Sequence, residues 1–265
     1  MNLQSLKINE MFRTVLVLLA WGGFFWLAVS SFQYKNEMNL QNFEVVIINK
    51  ENDLHLLEAA QIHQYVEAWL PDSINRIKLS EFQMAALQEH IMFHPYVKSG
   101  NLYIGKNGRV KIECIPRYPV ARVVPARGDS YLIDHFGEIM PISDNLIIKL
   151  PVIRGRVPQF NSADEADLNR LAGLGMLFKE INRIEFLQVL IDQVVVTALG
   201  DYRLLPVMGT EIIEFGELER IEEKLMDLDE FYNQVIAQVG WNQYESINLK
   251  YEGQVVGKKK ASTNP

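Results

Sequence analysis

The sequence predicts an α+β protein: a single transmembrane helix, a β-α-α-β-β domain, and then a mostly antiparallel β domain with packed helices. Three observations carry that prediction. Residues 14–34 read TVLVLLAWGGFFWLAVSSFQY without one charged side chain. Residues 40–117 pass from strand-like to helix-like periods and back. From Ala121 onward, short β-branched runs are separated by turn residues.

The uncharged segment has the length needed to cross a bilayer, which takes about 20 apolar residues because backbone polar groups find no water there. The expected division is 1–11 as a short cytoplasmic segment and 12–34 as the transmembrane helix. A cleaved signal peptide is the rival, with Lys7 and Arg13 as its basic start and Ala28-Val29-Ser30 as a small-residue cleavage site, although its apolar region is usually only ~7–15 residues. A core helix would show a polar stripe, which this segment lacks. Lys7 and Arg13 ahead of the span favour a cytoplasmic amino terminus and a single-pass type II topology, with the later domains outside the cytoplasm.

In the 40–117 domain, 43–48 is a β-branched run that suits a strand. Ile62, Tyr65, Val66, Trp69 and Leu70 form one helical stripe, which Pro71 stops. A second helix is expected to open at Ser80 through the capping box Ser80-x-x-Gln83, with Leu79 stapled onto Met84. Met84, Leu87 and Ile91 form its buried face, and His94-Pro95 ends it. Lys106-Asn107-Gly108 predicts a type I′ hairpin, after which Val110, Ile112 and Cys114 point inward.

In the 118–257 domain, Gly128, Gly137 and Pro141 punctuate short strands. Ser162-x-x-Glu165 reads as another capping box, opening a helix with Leu171, Leu174, Phe178 and Ile181 on one face. Residues 184–190, 193–199, 202–207 and 210–215 read as strands. Helix 217–237 carries Leu218, Ile221, Leu225, Leu228, Tyr232 and Val235 as a stripe that packs on the sheet, with a coiled-coil seam as the alternative. Two strand-like stretches fill 244–256, and 258–265 is expected to be a disordered polar tail.

The composition excludes some functions. A net charge of −7 with no basic stripe argues against nucleic acid. Cys114 is the lone cysteine; it reads as a small buried hydrophobe, with a reactive thiol as the other reading. His90 and His94 share a helix face, but Ile91 stands where a zinc protease needs glutamate, so no metal is expected. Asp134 and Glu138 flank a turn and read as solvated acids. Gly173 and Gly175 read as close-packing positions, and no nucleophile elbow or phosphate loop is present. The chain is therefore expected to hold no cofactor and to be no enzyme. The alternative is a membrane-anchored envelope enzyme without a recognisable motif.

Several motifs stand in a familiar order: His94-Pro95-Tyr96-Val97, Pro116-Arg117-Tyr118-Pro119-Val120-Ala121-Arg122, Tyr131-Leu132-Ile133-Asp134 with Gly137, Leu150-Pro151 with Gly155, Ile213-Glu214-Phe215-Gly216 before Glu223-Lys224-Leu225, and Ile247-Asn248-Leu249-Lys250-Tyr251 before Gln254-Val255-Val256. In this order the chain resembles the FtsQ/DivIB family of bacterial cell-division proteins. Asn248 replaces the family's usual acidic residue, and Lys250 its arginine. The resemblance implies that 40–117 is a POTRA-like domain bound by an upstream recruiter. It also implies that 118–257 binds FtsB-like and FtsL-like partners, in the inner membrane with periplasmic domains at the division septum. An edge strand can bind a partner by strand addition. The residues expected to do so are Ile247, Asn248, Leu249, Lys250, Tyr251, Gly253, Val255 and Val256, with Tyr251 either an aromatic anchor or a core aromatic of the last strand.

Overall fold

The computed structural model describes residues 16–27, 29–30, 39–48, 57–105, 107–142, 148–160 and 164–261. The chain divides into two compact units, Met1–Pro116 and Arg117–Pro265.

The predicted transmembrane helix is corrected. Helix α1 runs over 16–27, with helical backbone again at 29–30. No helix among the described residues is long and apolar enough to cross a membrane. Positions 1–15, 28 and 31–34, which include both ends of the predicted span, lie outside the described residues.

The rest of the first unit is a three-stranded sheet under two helices. Strands β1 (Phe43–Ile47), β2 (Val97–Ile104) and β3 (Val110–Pro116) lie in the order β1-β3-β2. β1 runs parallel to β3, and β2 runs antiparallel to it. Val110, Ile112 and Cys114 alternate inward and are buried with Ile62 and Val66 of α2 (Ala59–Trp69) and Leu87 and Ile91 of α3 (Met84–Met92). Burial pushes the Cys114 thiol up to about 11, which keeps it protonated and inert.

Two local expectations fail here for identifiable reasons. Ser80 is not a cap. Glu81 N donates to Lys78 O at 3.0 Å, so residues 78–81 form a separate turn and α3 begins at Met84, which stays exposed. The β2–β3 turn is not a type I′ turn centred on Asn107-Gly108, because Gly108 N donates to Gly105 O at 3.1 Å, which makes Gly108 the closing residue of the turn. The histidine pair is taken up by packing. His90 stacks on Tyr65 at 4.3 Å and on Trp69 at 5.4 Å, and His94 meets Tyr65 edge-on at 4.8 Å. Burial, and then the neighbouring His90, lower the His94 pKa.

The second unit is one nine-stranded sheet with helices against it. Its strands are β4 (Pro119–Val124), β5 (Tyr131–Asp134), β6 (Ile139–Met140), β7 (Val152–Gly155), β8 (Ile191–Val196), β9 (Tyr202–Pro206), β10 (Ile212–Gly216), β11 (Tyr244–Asn248) and β12 (Val256–Lys259). Their order is β12-β11-β10-β9-β8-β7-β4-β5-β6. The sheet is mixed: β4–β7, β7–β8 and β10–β11 pair in parallel. Each of these needs a crossover rather than a hairpin. Helices α4 (Glu165–Ile181) and α5 (Glu185–Leu190) make the β7-to-β8 crossover, and α6 (Ile221–Phe231) begins the one from β10 to β11.

Helix α4 buries Leu171, Leu174, Phe178 and Ile181, and α6 buries Ile221, Leu225 and Leu228, in one cluster with Val123, Val194, Leu204, Phe215 and Ile247 of the sheet. Ser162 lies outside the described residues. The cap of α4 is Asp164, whose Oδ1 accepts from Asp167 N at 2.8 Å. The expected strand at 184–190 is helix α5: Leu187 and Leu190, three apart, face the core, and a short apolar run has no period that separates the two states. The turn after β5 is held by Asp134, which is buried. Its carboxylate accepts from Phe136 N at 2.8 Å, Glu138 N at 3.0 Å and Arg117 Nη1 at 2.8 Å, so it is not a solvated acid.

Candidate partner-binding edge

The open side of the sheet is set by the residues that close its core. Beyond α6 the helix widens into a π turn at Tyr232–Ile236, followed by α7 (Ala237–Val239). Tyr232 is buried there, and its hydroxyl donates to Glu211 Oε1 at 2.7 Å; Glu211 Oε2 also accepts from Thr210 N at 2.9 Å. Burial, and then the Glu211 carboxylate, hold the tyrosine hydroxyl above its ordinary range. The chain then enters β11, which pairs in parallel with β10 through Ile213↔Ile247 and Glu214↔Asn248. Leu249 N donates to Glu214 O at 3.0 Å and extends that pairing by one residue.

β12 folds back on β11 with Ile247↔Gly257 and Asn248↔Val256 in register. It is the outermost strand, with no described strand on its far side. Its outward N–H and C=O groups are open to another chain. The connecting turn carries Gly253 at φ 62°, a left-handed conformation suited to glycine, and Gln254 N donates to Tyr251 O at 3.4 Å.

The expected contact residues divide by position. Ile247 and Leu249 are buried in the core, and β11, which carries Ile247, lies between two strands and is not an edge. Asn248 is half-buried, and its Oδ1 accepts from Lys250 N at 2.9 Å. The Lys250 ammonium is bound to Asp201. Val255 is half-buried. Tyr251, Gly253 and Val256 reach solvent; Tyr251 is 58% exposed in the turn, so it is not a core aromatic.

Lys258 and Lys259 were expected in a disordered tail, but they belong to the edge strand, because pairing with β11 orders them. Residues 262–265 lie outside the described residues. The signal for this strand was available in the sequence: a β-branched pair, Val255-Val256, directly after a glycine turn and within hairpin reach of 244–248. Lys258 pairs with Glu245 at 2.8 Å, and Lys260 bonds Thr210. Lysines along a margin repel a second identical margin while leaving the backbone available to a different chain.

Gly257 lets this strand lie flat. A side-chain carbon there would come within 2.5 Å of the buried Tyr244 ring and 3.3 Å of Phe231, and those two rings already meet edge-on at 5.4 Å. Gly257→Val is therefore expected to lift β12 off the sheet at a cost of about 1–3 kcal/mol. Hydrogen exchange would read this as lost protection of the β12 amides with β8 and β9 unchanged; full protection of β12 would refute it.

Among the described residues, no group of three or more histidine, cysteine or acidic side chains is placed to hold a metal ion.

Comparison with known proteins places this edge within a shared domain. The Cell division protein FtsQ of Salinibacter ruber (strain DSM 13855 / M31) is 29% identical over 183 residues, which cover 63% of this chain and 66% of that protein. The match thus spans just under two thirds of the relative's own length. A family described as FtsQ/DivIB, C-terminal related, matches residues 118–258, from the start of β4 into β12 and more than half of the 265 residues. On that match, the chain belongs to the FtsQ/DivIB family.

Proposed function

We propose that this protein is a non-enzymatic scaffold of the bacterial division machinery, associated with the membrane at the division site, that binds other division proteins through its second unit. The observation that carries this reading is the open margin of β12, which lies at the end of the region common to the family. Strand addition needs an accessible row of backbone donors and acceptors beside side chains that select the partner. β12 offers the row, and Tyr251 and Val256 offer exposed apolar contacts beside it. FtsB-like and FtsL-like proteins are the proposed occupants. The first unit, read as POTRA-like, is the proposed site of an upstream recruiter.

The test is capture of the FtsB-like and FtsL-like proteins of the same cell by the full chain. Tyr251→Ala is expected to weaken capture by about 2 kcal/mol, roughly 30-fold, with the far-UV circular dichroism unchanged. Capture by the variant at parental strength would remove the turn from the interface.

A further inference from the structure

The helical side of the second unit carries a concavity that strand addition does not use. A groove of about 770 Å³ lies between α4 and α6. Met176 and Glu180 line it from α4, four residues apart; Glu222, Met226 and Glu230 line it from α6 at the same spacing, so each helix presents one ridge. The floor is Leu218, laid so closely on α4 that a side-chain carbon at Gly173 would come within 2.8 Å of its Cδ1. Met176 and Met226 are 55% and 61% exposed, unusual for large apolar side chains on otherwise amphipathic helices.

The rim is acidic. Five carboxylates and one guanidinium line the groove. That guanidinium, Arg220, is already bound to Glu223 at 3.1 Å, and outside the lining Arg183 bridges Glu180 at 2.6 Å and Glu222 at 3.7 Å. Among the described residues, neither Asp227 nor Glu230 has a cationic partner.

We propose that this groove docks an amphipathic helix of a partner protein, one with lysine or arginine flanking an apolar stripe. A trough between two helices matches a third helix, whose i, i+3, i+4 and i+7 side chains fill it. Exposed methionines adapt to such side chains. Basic side chains can lay their methylene stems along the groove wall and bring their charges to Asp227 and Glu230. A partner strand finds no open backbone here, and a second copy of a chain with net charge −7 is repelled. The site is separate from β12 and does not rest on the reading of that edge.

The test uses the full chain and a fluorescent synthetic Leu/Lys peptide of roughly 18 residues with leucines at helical spacing. Its controls are a Leu/Glu analogue and a scramble of the same composition. The expected result is a saturable rise in anisotropy with the Leu/Lys peptide alone, weakened by added salt. Met226→Lys and the double change Asp227→Lys/Glu230→Lys are each expected to weaken binding about tenfold or more, whereas Met226→Leu and Tyr251→Ala retain it. Met226, Glu230 and Tyr251 are exposed and Asp227 is half-buried, and an unchanged thermal midpoint certifies each variant. Absent binding, equal binding of the scramble, binding indifferent to Met226→Lys, or loss that tracks dissociation of a dimer would each overturn the proposal.

Discussion

Gly175→Val is expected to keep the second unit from reaching its native packing, with a loss above about 4 kcal/mol. A side-chain carbon at this position would lie 2.6 Å from Gly137 N, 2.7 Å from Asp134 O and 2.9 Å from His135 C. All three are backbone atoms of the β5–β6 turn, so no rotamer change relieves the clash. Either α4 moves away from the sheet, opening the cluster around Leu174 and Phe178, or the turn unravels. Hydrogen exchange should report lost protection in β4, β5 and α4, while β2 and β3, which belong to a separate core, keep theirs. A valine variant with the parental denaturation midpoint would refute this account.

Asp134→Ala is expected to cost about 3 kcal/mol at the same corner. Removing the carboxylate takes this acceptor from three donors, the Phe136 and Glu138 amides and the Arg117 guanidinium, and the lost charge had faced Arg117 in a buried setting. Asp134→Asn keeps one acceptor oxygen but not the charge, and should fall between the two. Because Gly175 packs on the Asp134 carbonyl, the losses from Asp134→Ala and Gly175→Ala should not add. A double-mutant cycle in denaturant would give a coupling of about 0.5–3 kcal/mol, and strict additivity would show that the turn and the helix are independent.

Side-chain periodicity carried the parts of this fold that depend on one element at a time. The stripe of α2, the inward alternation of Val110, Ile112 and Cys114, and the apolar faces of α4 and α6 were all readable, since each is a local pattern of burial. What was not readable depends on neighbours far away in the chain. Nothing in 152–155 states that β7 lies between β4 and β8, or that β10 and β11 run side by side across α6. For the same reason, one edge was expected along the whole of Ile247 to Val256, whereas Ile247 lies inside the sheet and the outermost strand, β12, opens only at Val256. Residues 184–190 failed differently, because an apolar run of that length suits either a strand or one and a half helical turns. The uncharged segment at 14–34 invited a full span from composition alone, and no helix among the described residues is long and apolar enough to provide one.

The strand order has a temporal consequence as well. β12 is both the outermost and the latest of the described strands, so the surface proposed for a partner comes into being only after the ribosome has delivered the rest of the sheet. Translation that aborts before residue 256 leaves β11 as a raw border, stripped of the lysines that discourage self-association. Such fragments are expected to be drawn to one another and, on the proposed role of β12, to lose the capture of a partner.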